Sequence, residues 1–200
     1  MNIPELVLSL YGVGAIKFGK FRLTSGLESP IYIDLRVAIS HPSIYKQLVN
    51  AMVNLLNNRD VDLIAGIETA SIPWASMIAY ELGKGLVYVR KETKEHGTSR
   101  LVEGDLKPGV KIIVIDDVIT TGGSIVRAIR ILRGQGGSVV AAAAFVDREQ
   151  GGLEVIRREG VDAVALLSIT SILNILLNAG AISRGLYEEV INYLVKTRVA

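Results

Sequence analysis

The chain has 200 residues, 50% of them hydrophobic, and sets 22 Lys and Arg against 20 Asp and Glu for a formal net charge of +2. So much apolar material with so little net charge excludes a disordered chain, and the length suits one globular domain. Near-neutrality also argues against a surface that draws in nucleic acid or an anionic membrane as a whole, so an anionic partner has to be met by a local cluster of cations. Zero Cys removes disulfides, thiolate metal sites and thiol nucleophiles, and His41 and His96 alone leave little for a zinc site.

No basic stretch followed by an apolar core opens the chain, so no signal peptide is expected. Within the first 40 or so residues, an N-terminal helix precedes two strand-like runs, Ile16 to Leu23 and Ile31 to Leu35. The turn-rich connection Thr24-Ser25-Gly26-Leu27-Glu28-Ser29-Pro30 separates them, which predicts a small antiparallel flap. Ile44, Leu48, Met52 and Leu55 then fall on one helical face, and Leu63 to Gly66 is a short apolar strand. Ser71 to Leu82 reads as a helix with Pro73 in its first turn, where a missing N–H costs nothing. Strands follow at Leu86 to Val89, Lys111 to Ile115 and Val139 to Val146, with helices at Gly122 to Leu132 and around Leu153 to Glu159.

The uncharged stretch from Ala163 to Ser183 is long enough to span a bilayer, but Ser168, Thr170, Ser171, Asn174 and Asn178 interrupt it. A buried strand, Ala163 to Leu167, leading into a helix from about Ser171 to Asn178 is the better reading. A last helix, Gly185 to Lys196, carries Leu186, Val190, Ile191 and Leu194 on one packing face. With no repeat or linker, residues 1–200 are expected to form a single α/β domain: a hood over about 1–40, a mostly parallel sheet with helices on both faces over about 41–170, and C-terminal helices over about 171–200. Ligands on such sheets bind at the carboxyl ends of the strands.

The run Ile112-Ile113-Val114-Ile115-Asp116-Asp117-Val118-Ile119-Thr120-Thr121-Gly122-Gly123-Ser124 carries the strongest chemical signal. A buried strand leads into two carboxylates and then into a Thr- and Gly-rich helix N-terminus. Free N–H groups and the helix dipole favour a phosphate there, and glycines let the backbone approach its oxygens. The carboxylates would repel a phosphate, but they suit the hydroxyls of a ribose or a sugar with Mg²⁺. The same residues would also serve as caps in an unliganded strand-to-helix turn. There is no GxxxxGK[ST], and Gly12-Val13-Gly14 lacks the third glycine of a dinucleotide fingerprint.

This segment resembles the signature of the type I phosphoribosyltransferases, in which the loop holds the ribose and 5-phosphate of 5-phosphoribosyl 1-diphosphate (PRPP). A second segment, Arg90-Lys91-Glu92-Thr93-Lys94-Glu95-His96-Gly97, read from charge alone, is either a solvated loop or a basic cover for a pyrophosphate. Its pattern RKxxKxHG is similar to that of the orotate phosphoribosyltransferases. The hood, Phe21-Arg22-Leu23-Thr24-Ser25-Gly26-Leu27-Glu28-Ser29-Pro30-Ile31-Tyr32-Ile33-Asp34, resembles that family's FxLxSGxxSPxYxD element, which covers the base. By composition alone it is equally a hairpin held by Phe21 and Tyr32.

The resemblance runs from about Phe18 to Gly152. It implies a type I phosphoribosyltransferase fold, transfer of ribose 5-phosphate from PRPP to orotate, and Mg²⁺ carried mainly by PRPP with no direct protein ligand. It further implies a cytoplasmic homodimer with shared active sites, and no nucleic-acid or membrane partner is expected. Arg90, Lys91, Lys94, His96 and the loop from Asp116 and Asp117 through Val118, Ile119, Thr120, Thr121, Gly122, Gly123 and Ser124 would hold PRPP. Lys94, Asp116 and Asp117 would be catalytic. Ser25, Gly26, Tyr32, Thr120 and Arg148 would bind orotate, with the planar guanidinium of Arg148 taking its carboxylate; an Arg at a strand end also commonly makes a surface ion pair. Two departures stand out: Thr24 and Ala70 occupy positions where bacterial members carry lysines. A purine phosphoribosyltransferase and a non-catalytic PRPP-sensing regulator are the competing readings.

Overall fold

The computed structural model describes residues 2–22, 28–92 and 101–198. In chain order the elements are α1 (Ile3–Gly12), β1 (Ile16–Arg22), β2 (Glu28–Ile33), α2 (Arg36–Ile39), α3 (Pro42–Leu56), β3 (Leu63–Ile67), α4 (Ile72–Leu82), β4 (Gly85–Val89), β5 (Val102–Glu103), β6 (Lys111–Ile119), α5 (Gly123–Gly134), β7 (Ser138–Asp147), α6 (Gly152–Arg158), β8 (Asp162–Ser168), α7 (Ile169–Asn178) and α8 (Arg184–Thr197).

The strands β4, β3, β6, β7 and β8 lie parallel, with the short β5 antiparallel on the β4 edge, in the order β5-β4-β3-β6-β7-β8. The side-chain alternation of β6 divides the interior in two. Ile113 and Ile115 face a larger core built with α1, α3, α4, α7 and α8, whereas Ile112 and Val114 face a smaller core beneath α5 and α6. Both faces are thus covered, as a parallel sheet requires. Trp74, fully buried, links α4 to the sheet through Phe145 (ring centroids 4.6 Å apart) and to α3 through Tyr45 (4.8 Å, edge-on). The hood is the antiparallel pair β1–β2, a separate small sheet.

Several expectations are sharpened or corrected. The apolar face of α3 ends on Leu56, 1% exposed, not on Leu55, which is 39% exposed; α3 carries the pattern Ile44, Leu48, Val49, Met52, Leu56. An i, i+3/i+4 stripe admits either residue as its last member, and only packing against the sheet selects one. β6 does not stop at Ile115. It runs on to Ile119, because β7 continues to pair with it as far as Ile119↔Asp147. The acidic pair therefore sits on the strand itself, not in the loop after it. β2 begins at Glu28, so Ser29 and Pro30 belong to a strand where a turn is predicted. The helix after β8 starts at Ile169: Ser168 caps it by accepting from Ser171 N–H, and Ser171 reciprocates. Among the described residues, no helix is long and apolar enough to cross a membrane.

Candidate functional site

Neighbouring strands β3 and β6 are where the order of the sheet reverses, since the chain leaves β3 for β4 on one side and returns to β6 on the other. A cavity of about 640 Å³ opens there, at the carboxyl ends of the strands, as expected of a doubly wound sheet. Its walls come from the turn after β3 (Glu68, Thr69, Ala70), the end of β6 (Asp116, Asp117, Val118), the start of α5 (Ser124, Arg127), Lys91 at the exit of β4, and Arg36 below the hood. The turn after β3 is fixed from inside. Buried Ser71 donates its hydroxyl to Ile67 O at 2.9 Å and accepts from Ile67 N–H, while Tyr45 donates its hydroxyl to Pro73 O at 2.7 Å.

A smaller recess of about 90 Å³ adjoins this cavity, lined by Asp116 and by every residue from Val118 to Ile125. Its geometry follows from two glycines. Gly122 has φ of +79° and its α-carbon faces Gly152: a Cβ at Gly122 would lie 2.7 Å from Gly152 O, and one at Gly152 would lie 2.3 Å from an Ile119 methyl and 2.7 Å from Thr120 O. The backbone of the loop thus packs directly on the start of α6, and only glycine fits at either position. At Gly123, by contrast, the nearest atom to an added Cβ would be Thr121 Oγ1 at 3.9 Å, so that residue faces open space at the N-terminus of α5. The recess offers backbone amides and Thr and Ser hydroxyls, with the positive end of α5 behind them.

Asp116 is 9% exposed, and its Oδ1 accepts from Asp117 N–H at 3.0 Å; Asp117 Oδ1 accepts in turn from Val118 N–H at 2.9 Å. Burial pushes both carboxyls above the ordinary range, Asp116 the further, and at Asp116 the adjoining Asp117 charge adds to it. Two cations work against this: Lys91 on Asp116 and Arg36 on Asp117. Arg36 is itself held by a two-pronged ion pair to Asp34 (2.6 and 2.9 Å) and donates to the Tyr32 hydroxyl at 3.2 Å. Carboxylates flanked by cations can accept from sugar hydroxyls, and the adjoining recess of backbone amides and hydroxyls can take a phosphate, so together they suit a ribose phosphate.

The predicted residues divide into groups. Lys91, Asp116, Asp117, Val118 and Ser124 line the large cavity, and Ile119, Thr120, Thr121, Gly122 and Gly123 line the recess. Arg90 is absent from both linings; its side chain pairs with Glu103 at 3.3 Å and donates to Glu92 O. Arg148 is no surface ion pair. It is 5% exposed and bonds Ser29 of the hood. Tyr32 packs its ring on Phe21 at 5.5 Å. Ser25, Gly26, Lys94 and His96, with Thr24, lie outside the described residues. Two further cavity residues carry little signal in the sequence: Arg36, two positions after the hood pattern ends, and Arg127, which by its spacing is one more solvent-facing charge on α5.

Residues 39–161 match the family model described as the phosphoribosyl transferase domain. Orotate phosphoribosyltransferase of Staphylothermus marinus is 43% identical over 192 residues, covering 96% of this chain and 94% of the relative. Among solved structures, orotate phosphoribosyltransferase from Aeropyrum pernix aligns with a TM-score of 0.78 at 37% identity, over 89% of this chain and 99% of that one. UMP synthase of Leishmania donovani aligns with a TM-score of 0.88 at 33% identity over 96% of this chain, which spans 42% of the longer neighbour. By these matches the chain belongs to the orotate phosphoribosyltransferase family of type I phosphoribosyltransferases.

Proposed function

We propose that the chain transfers ribose 5-phosphate from PRPP to N1 of orotate, giving orotidine 5′-phosphate and pyrophosphate in pyrimidine synthesis. The observation that carries this reading is the placement of Asp116 and Asp117 at the end of β6, between the recess of residues 118–125 and the turn at residues 68–70. The 5-phosphate takes the recess, the ribose hydroxyls donate to the two carboxylates, and the diphosphate lies across the turn and Lys91. The N1–C1 bond forms as the C1–O bond breaks, the bonding pair leaves on pyrophosphate, and the N1 proton passes to solvent.

Orotate is already an anion, so positioning and stabilisation of the leaving group do most of the work. Lys94 and His96 meet the departing pyrophosphate, and the buried carboxylates ease positive charge at C1. Thr120, Ser25 and Gly26 hold the base, Tyr32 offers it a flat face, and Arg148 takes its carboxylate. Two cavity-lining carboxylates in a water-accessible site suit Mg²⁺ brought in on PRPP oxygens, with water completing its shell. When bound, Mg²⁺ neutralises charge developing on the diphosphate. The working protein is a cytoplasmic homodimer with shared active sites.

The test mixes the protein with PRPP, Mg²⁺ and orotate and follows the loss of orotate absorbance, with adenine, hypoxanthine and uracil in parallel. Turnover of orotate alone is expected. Binding of PRPP without turnover of any base would overturn the reading in favour of a regulator.

A further inference from the structure

The function just proposed gives Lys91 a part in holding the diphosphate but leaves two residues around it without a role. Lys91 N–H donates to Glu68 Oε2 at 2.8 Å, from the turn after β3. Its carbonyl accepts from Arg127 Nη2 at 2.6 Å, and the carbonyl of Arg90 accepts from Nη1 of the same guanidinium at 2.9 Å. Arg127 lies on the exposed face of α5, four residues after Gly123, and so contributes nothing to the buried stripe of that helix, Ile125, Val126, Ala128, Ile129 and Leu132. Its planar fork is spent instead on two successive carbonyls, a two-point attachment that fixes direction as well as distance. Glu68, Lys91 and Arg127 line the same cavity as Asp116 and Asp117, and the Lys91 charge is felt at Asp116.

We infer that Glu68 and Arg127 are positioning residues that clamp the Lys91 peptide from opposite sides, tying the turn after β3 and the phosphate-side helix α5 to the root of the basic segment and holding Lys91 over Asp116. The backbone next to it is already anchored: Arg90 N–H donates to Leu101 O at 2.8 Å, and Glu68 N–H to Val89 O at 2.9 Å. Lys91, the second residue of the basic segment, thus has its peptide held on both sides by groups from other elements. Neither Glu68 nor Arg127 has to touch substrate for this. They act through Lys91, and occupants of the recess and of the diphosphate turn are coupled through one peptide plane. The catalytic consequence rests on the function proposed above; the clamp itself does not.

The experiment compares Glu68→Ala, Arg127→Met, the double variant and Arg127→Lys in the full chain. Without substrates, hydrogen exchange at the Lys91 amide is expected to quicken about tenfold or more in Glu68→Ala and in Arg127→Met, with Ile113 and Ile129 amides and Tm unchanged. With substrates, kcat/KM for PRPP is expected to fall about tenfold in each single variant and no further in the double, because both side chains act through one group. Arg127→Lys, which reaches one carbonyl at a time, recovers part of the loss. Unchanged exchange at Lys91, or losses that multiply in the double variant, would overturn the clamp. A parent protein that turns over no orotate, with Lys91 exchange responding as described, would refute the function and leave the clamp standing.

Discussion

Arg148 Nη2 donates a hydrogen bond to Ser29 Oγ at 3.1 Å, joining the end of β7 to the hood across 119 positions of sequence. Ser29 is itself 1% exposed, donates to Ile31 O at 2.7 Å, and so has its hydroxyl oriented by its own strand. The guanidinium is buried, and among the described residues its Nε has no hydrogen-bond partner. Burial presses the Arg148 pKa down and the nearby Tyr193 oxygen partly offsets this. A buried cation with donors to spare is costly unless an anion completes it.

The first prediction follows from that cost. Arg148→Met is expected to raise KM for orotate by roughly tenfold to a hundredfold, the range of a lost charged hydrogen bond, with KM for PRPP little changed and Tm unchanged or raised. Arg148→Lys is expected to rescue little, since an ammonium cannot make the bidentate contact. Steady-state kinetics with each substrate varied decides it: equal losses toward both substrates would remove Arg148 from the base pocket.

Asp116 sets activity against stability. Its carboxyl ionises less readily in the folded chain than in the unfolded one, so the native state keeps the proton longer, and charging the group opposes folding. That opposition is absent below the ordinary value of 3.8, grows as pH rises, and is complete above the raised native value. Asp116→Asn keeps an acceptor for Asp117 N–H. It is expected to increase the free energy of unfolding at pH 7, with the gain vanishing toward pH 4, while lowering kcat/KM about a hundredfold through lost transition-state stabilisation. Urea unfolding at several pH values, paired with the orotate assay, measures both.

The same raised pKa predicts a proton balance. Cationic Mg²⁺ and hydroxyl donors favour the charged carboxylates, so binding of Mg²⁺ and PRPP is expected to release protons at any pH where the free protein still holds protons on the pair. Calorimetric titrations in buffers of different ionisation enthalpy would reveal it, and a binding heat independent of buffer would count against it.

Gly122, Gly123 and Gly152 separate packing from binding. Gly152→Ala forces a methyl onto Ile119 and Thr120, and Gly122→Ala adds a left-handed backbone to a contact with Gly152 O, so each is expected to cost about 2 kcal/mol or more. Gly123→Ala meets nothing closer than 3.9 Å and is expected to leave Tm unchanged or slightly raised while weakening PRPP binding, since the added methyl occupies the open face of the recess. Thermal unfolding and PRPP titration of the three variants distinguish these outcomes.

Lys94→Ala is expected to lower turnover by a hundredfold or more with Tm unchanged, as removal of a charge that meets the leaving group should. An unchanged rate in the orotate assay would refute its assignment.

Local features are legible in the amino-acid order. Period-2 and period-3.6 patterns place most of the strands and helices within a residue or two, because burial of alternate or every third to fourth residue is written into neighbouring positions. The expectation of an anion site over Asp116 to Ser124 rests on equally local causes: capping, helix dipole and glycine conformation act within a few residues. Features that depend on which distant segment packs on which emerge only from the folded chain. The extension of β6 to Ile119 comes from pairing with β7, and the choice of Leu56 over Leu55 comes from the core that α3 meets. Gly152 owes its identity to Ile119 and Thr120, Arg148 finds its hydrogen-bond partner in Ser29, and Arg127, an ordinary surface charge by periodicity, reaches the carbonyls of residues 90 and 91 because the fold sets α5 beside the exit of β4. Periodicity encodes which side of an element is buried; the partner on the other side is chosen by long-range packing, where loop closure and the fit of whole surfaces set the free energy.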